Sequence, residues 1–144
     1  MAVTNTSFTA QVDDWVKQSK ERMEAAFKES CQRIVAEAQT PVGAGGNMPI
    51  VTNYLRSSGV GTIGAPTPMR KDARPEEGQT YTFSMGDVSA VISRLKIGNT
   101  FFWCYVAVYA RRVEYKRGFV RLPAQRWPQI VAQVARELRT RAGE

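Results

Sequence analysis

From Thr9 to about Ala38 the apolar side chains Val12, Trp15, Val16, Met23, Ala26, Phe27, Ile34, Val35 and Ala38 recur at intervals of threes and fours. That spacing places them on one side of a helix and predicts a single long amphipathic segment. Ser7 or Thr9 is positioned to cap it, and Asp13 and Asp14 fall in its early turns, where the macrodipole favours negative charge. Thr40-Pro41, followed by Gly43, stops it. At about 1.5 Å per residue the helix would reach about 45 Å, longer than the core of so small a domain requires. Either a neighbouring subunit covers the surplus stripe, or the helix spans a whole sheet.

Beyond it the pattern changes. Gly43 to Pro49 reads as a flexible connector that shares only glycines with a phosphate loop, lacking both a Gly-Lys-Ser ending and a preceding strand. Ile50 to Ser58 suits a short helix or turn closing at Gly59. Residues 59–78, with Gly64-Ala65-Pro66-Thr67-Pro68 and then a charged run, read as an exposed mobile loop, either plain surface or a docking element. Gln79 to Ser84 alternates polar with aromatic residues, as a half-buried strand does. Asp87 is placed to cap a helical turn through Val88, Val91, Ile92 and Leu95 that ends at Gly98-Asn99. Thr100 to Val108 is the most strand-like segment, and its near-continuous apolarity calls for cover on both faces. Tyr109 to Tyr115 carries this strand into a short polar segment and a Gly118-Phe119 turn. A second amphipathic helix follows from Leu122 to about Arg141, with Pro123 in its first turn and Trp127, Ile130, Val131, Val134, Ala135 and Leu138 on one face. Pro128 fits only where regular helix begins. The class expected is α+β: a small, mostly antiparallel sheet packed by a long N-terminal helix and a C-terminal helix, in one domain over residues 1–144.

Composition narrows the chemistry. A chain of 144 residues buries roughly 70% of its unfolded surface as one domain. It contains no histidine, which removes the usual proton shuttle and the commonest zinc ligand. Cys31 and Cys104 have no CxxC partner and are expected to be reduced, buried thiols. No catalytic, cofactor-binding or metal-binding residue is singled out; Glu114 beside Arg111 and Arg112, or a serine with a lysine base, has no spacing in its favour. The formal net charge is +7. Residues 1–40 hold five basic and six acidic side chains, while residues 111–144 hold nine basic and three acidic ones. This basic end suits nucleic acid or an acidic partner, or is a solvated helix face. No run approaches the roughly 18 apolar residues of a membrane helix, and the first residues lack both the charge and the apolar core of an export signal, so cytoplasmic synthesis is expected.

Two blocks resemble the neck or tail-component family of long-tailed bacteriophages and of related prophages and gene transfer agents. The first is Thr40-Pro41-Val42 with Asn53-Tyr54-Leu55-Arg56-Ser57-Ser58; no Asp follows Val42, and Gly43 to Thr52 reads as an insertion. The second is Tyr109-Ala110-Arg111-Arg112-Val113-Glu114-Tyr115, then Gly118-Phe119-Val120-Arg121 and the helix carrying Trp127. The resemblance implies a structural virion protein at the head-proximal end of the tail, completing the tail and helping join it to the capsid as part of a ring, read as hexameric. Its implied partners are further copies of itself and neighbouring neck, tail-terminator or tail-tube proteins, with genomic DNA passing through the lumen and no cofactor, membrane or small-molecule substrate. The implied interface residues are Leu55, Arg56, Tyr109, Arg111, Arg112, Glu114, Tyr115, Phe119 and Trp127. The aromatic members suit either contact anchors or core, and the charged ones either intersubunit pairs or local surface pairs. A basic nucleic-acid-binding module is the alternative, motivated by the net charge and the mixing of aromatics with arginines over residues 101–127.

Overall fold

A computed structural model describes residues 7–143; residues 1–6, on which the export-signal reading largely rests, and residue 144 lie outside the described residues. The first apolar stripe forms one helix, α1 (Phe8–Ala38). Ser7 caps it, its Oγ accepting the Ala10 N–H at 3.2 Å. At the other end Thr40 precedes Pro41, whose ring disfavours helical backbone at the residue before it, and the chain leaves extended. Burial along α1 is lopsided. Ser30, Cys31, Val35 and Ala38 are buried, whereas every residue from Phe8 to Met23 except Ala10 and Ser19 is exposed.

Residues 41–48 form a closed loop rather than a flexible connector. Pro41 and Met48 make a parallel bridge, Val42 N–H reaches Met48 O at 3.0 Å, and Met48 N–H reaches Thr40 O at 3.1 Å. Met48 is fully buried, and Gly46 lies so close to Thr40 that a Cβ would overlap it. A short helix, α2 (Tyr54–Ser57), follows Asn53, which adopts a left-handed conformation at φ 67° that asparagine tolerates well.

The sheet differs from the expectation. Its strands are β1 (Gly59–Ile63) and β2 (Phe101–Tyr105), antiparallel, with Gly59 opposite Tyr105 and Ile63 opposite Phe101. The segment expected to open a loop is therefore a strand, and Gln79–Ser84, expected to be one, carries no ladder. The cause is steric. The Trp103 indole lies against Gly59 and the Phe101 ring against Gly61, positions that only glycine leaves open. Residues 64–78 do form a loop, tied down by Arg70 N–H to Val106 O at 3.2 Å and Val108 N–H to Ala73 O at 3.0 Å. Along β2, Trp103 and Phe101 pack toward the core, while Phe102 and Cys104 alternate to a half-buried face outside both core clusters.

Three further helices complete the chain after α3 (Met85–Ile92), which begins after Ser84, earlier than the expected cap at Asp87. Helix α4 (Ala110–Arg117) replaces the expected strand extension and polar segment, and Gly118 at φ 66° ends it in the left-handed conformation typical of a helix stop. The expected C-terminal helix is split into α5 (Arg121–Gln125) and α6 (Trp127–Arg141), with Pro128 in the first turn of α6, where no N–H is missed. Helix α6 runs antiparallel to α1: Arg126 meets Glu37 at 2.7 Å, Glu137 meets Arg33, and Leu138 and Ala142 share a groove with Met23 and Ala26.

The core has two adjoining parts. Met48, Leu55, Tyr105, Ala107, Ala110 and Phe119 form one; Cys31, Val35, Val88, Ile92 and Leu95 form the other. Trp103 packs against both. This is an α+β domain with a two-stranded antiparallel sheet packed by the long N-terminal and the C-terminal helices.

Candidate functional site

The two sequence blocks meet in the core cluster that holds Leu55, Ala110 and Phe119 and in the Tyr54–Tyr109 pair. Beside it Gln39, just past the end of α1 and 2% exposed, ties α2 to β2. Its Nε2 donates to Arg56 O at 2.8 Å, its carbonyl accepts Arg56 Nε–H at 2.9 Å, and its Oε1 accepts the Tyr105 hydroxyl at 2.7 Å. The Arg56 guanidinium also lies 5.5 Å from the centroid of Phe83. Arg56 thus fastens α2 to α1 rather than reaching outward. Burial raises the Tyr105 phenol far above its ordinary range, against smaller lowering effects of Trp103 and Arg56. Sequence reasoning passed over Gln39 because a polar residue at a helix end ordinarily faces water.

The nine residues expected at an interface separate into distinct environments. Leu55 and Phe119 are core residues, Phe119 with its ring edge-on to Tyr105 at 4.8 Å, so their assignment to a contact surface is corrected. Trp127 is half-buried against the α1–α3 core, remote from the others. Glu114 pairs with neither Arg111 nor Arg112. Its carboxylate accepts the N–H groups of Val120 at 2.8 Å and Arg121 at 3.0 Å, capping the start of α5 where unpaired donors favour an anion. Tyr109 is half-buried near Tyr54, at 6.4 Å between centroids, and burial raises its phenol above the ordinary value. Arg111, Arg112 and Tyr115 are exposed, Tyr115 at 86%.

Around Tyr109 the surface is concave. A cleft of about 240 Å³ lies between α2 and α4, walled by Val51, Tyr54, Tyr109 and Val113 and rimmed by Lys116 and Arg117. A neighbouring hollow shares Tyr109 and carries Arg74 and Arg112. No acidic residue lines either one, and among the described residues no ion pair engages these four cations. Val51, 94% exposed at its mouth, escaped sequence reasoning because it lies in the stretch read as an insertion. Apolar walls with a cationic rim accept an apolar side chain carried beside negative charge.

The second notable surface is the N-terminal part of α1. The groove between α1 and α6 is lined on α1 from Arg22 onward, and residues 8–21, about 20 Å of helix before it, are exposed apart from Ala10 and Ser19. Phe8 (80% exposed), Val12, Trp15 (68%), Val16 and Met23 (60%) line one side of this arm at helical spacing. Large apolar side chains in such a contiguous stripe mark a contact surface.

Cys31 and Cys104 are both free thiols, Cys31 buried with its pKa pushed up to about 11 by burial and Cys104 half-buried. Among the described residues no helix is long and apolar enough to cross a membrane, and no group of three or more Cys, Asp or Glu side chains is placed to hold a metal ion. No family model matches the chain, and neither a curated protein nor a solved structure matches it.

Proposed function

We propose that this chain is a structural virion subunit at the head-proximal end of a long-tailed phage tail, where copies form a ring that completes the tail and helps join it to the capsid. The observation that carries the reading is the uncovered apolar stripe of the α1 arm, a surface that a chain acting alone would keep in water at a cost. The family resemblance supplies the setting. Its two blocks, some fifty residues apart, pack against each other through the Tyr54–Tyr109 pair and the core cluster shared by Leu55, Ala110 and Phe119, which supports reading them as one unit.

Electron microscopy of lysates from a phage or prophage with an early stop codon in this gene tests the role. Separated filled heads and unattached tails, restored to joined particles by adding the protein, are expected; joined, infectious particles without it would refute the role.

A second reading, a nucleic-acid contact, is favoured by the unpaired basic face of α4 with Arg74. Of the β2 aromatics, Phe101, Trp103 and Tyr105 are packed on the core and do not contribute. DNA binding by such a face would fall steeply between about 50 and 200 mM salt, and an affinity insensitive to salt would eliminate it.

A further inference from the structure

We infer that the α1 arm of one copy seats in the α2–α4 cleft of the next, so that the occupant of the cleft is a second copy of this chain. This names a contact for the proposed ring and takes only its biological setting from that reading.

Three observations lead there. The first is apolar match: the arm offers Phe8, Val12 and Trp15, and the cleft offers Val51, Tyr54, Tyr109 and Val113. The second is charge. The arm, residues 8–21, carries three acidic and two basic side chains, and the pair beside Val12 and Trp15, Asp13 and Asp14, is acidic, with Lys17, Lys20 and Glu21 nearer its base. The cleft and the hollow beside it present Lys116, Arg117, Arg112 and Arg74 with no carboxylate among their lining residues. The third is position. The arm begins at Phe8, whereas the cleft is built on α2, which is bonded to Gln39 just past the other end of α1. About 45 Å of helix separates the two ends, so a copy cannot fill its own cleft.

An apolar helix entering a groove is a common recognition mode, with acidic flanks meeting a basic rim to set orientation. Because arm and cleft are different surfaces, the contact is head-to-tail and propagates into a ring where the rotation closes. The competing occupant is the groove between α1 and α6, walled by Met23, Ala26, Leu138 and Ala142 and flanked by Arg22 and Arg139. That groove lies at the base of the arm itself, so filling it would pair two copies reciprocally and stop at a dimer. Cleft and groove are each lined by two cations, and the α2–α4 cleft is preferred because the hollow beside it, which shares Tyr109, adds Arg74 and Arg112.

Sedimentation of the purified full chain over a concentration series tests this. Wild type is expected to associate beyond a dimer. Trp15→Ala, and separately the double change Lys116→Glu with Arg117→Glu, should each weaken association about ten-fold or more, the loss expected at an aromatic anchor. All three positions are exposed, so the variants retain the fold. Mixing the two variants should give a one-to-one heterodimer, because one intact arm and one intact cleft remain per pair. Asp13→Lys with Asp14→Lys should restore binding to the Lys116→Glu, Arg117→Glu chain. A wild type that stays monomeric at about 1 mM, a range far weaker than specific assemblies use, would overturn the inference. So would a self-closing dimer indifferent to the cleft substitutions, or a mixture that associates no better than its parts. The assay needs no phage, so failure here leaves the joining role standing, and normal particles in lysates leave this contact standing.

Discussion

Replacing Gln39 with leucine removes the one side chain that ties α1, α2 and β2 together, and its cost can be worked from the geometry. The Tyr105 hydroxyl, buried with its residue 7% exposed, loses its acceptor at 2.7 Å, and the Arg56 carbonyl loses a donor at 2.8 Å. An unsatisfied buried polar group costs about 1–3 kcal/mol, and the Arg56 carbonyl is partly compensated by the turn that ends α2, so Gln39→Leu should destabilise by about 2–3 kcal/mol. Tyr105→Phe alone strands the Gln39 Oε1 and should cost about 1–2 kcal/mol. In the double variant two apolar groups face each other. Its loss should therefore be smaller than the sum of the singles by about 1–2 kcal/mol, within the range seen for residues in contact. Urea unfolding of the four chains, with the slope checked for constancy, measures this cycle directly. Losses that add to within about 0.5 kcal/mol would show that the hydroxyl and the amide are not energetically paired, and the argument for Gln39 as the fastening point would fail.

Other expectations follow from single contacts. Gly59→Ala drives a methyl into the Trp103 indole and should cost about 1–3 kcal/mol, lowering the melting temperature by roughly 4–10 °C; an unchanged melt would refute the close packing. Native thiol labelling near neutral pH should modify Cys104 first, because burial keeps Cys31 protonated and covered; mass mapping that finds Cys31 reacting equally fast would contradict its placement. The Arg33 guanidinium beside Glu137 holds that carboxyl below its ordinary value of 4.5. A depressed folded pKa gives stability that is present above the unfolded pKa and is lost as pH falls through the folded one. Glu137→Gln should therefore lower the urea midpoint near neutrality, and the gap to wild type should close on acidification below the ordinary carboxylate range; a gap independent of pH would assign the loss to something other than this charge.

Where residues announced their structure, they did so through periodicity. The three- and four-residue spacing from Val12 to Ala38 made α1 legible, and Thr40-Pro41 its end. That the first half of the stripe stays exposed was not legible, since an apolar face looks the same whether covered or bare. β1 was hidden because Gly59 and Gly61 have poor strand propensity on their own; they are chosen for the rings of Trp103 and Phe101, forty residues or more away. Gln79–Ser84 misled in the opposite sense. Its aromatic alternation serves packing, with Phe83 against Trp103 and Tyr81 against Tyr54, and no ladder is formed. In α4, tyrosines at 109 and 115 suggested a continued strand, while Ala110 and the charged residues after it favoured helix. Of the residues expected at an interface, individual burial could not be read from the motif order. Phe119 went inward, and Lys116 and Arg117, two ordinary-looking cations, came to rim the cleft.

Trp103 touches both parts of the core, and among the described residues no other is packed against the two clusters alike. Its ring therefore sets the size of the cooperative unit. Were it small, the helical layer of α1 and α3 and the layer of α2, α4 and Phe119 would have few reasons to melt together; with the indole shared, loss of either removes apolar contact from the other. The whole body beneath the arm should unfold as one transition, while the arm, outside that unit, frays first on its own. Under the proposed arm-in-cleft contact, a chain built this way would surrender its first turns to a neighbour without loosening the body that would receive the next arm.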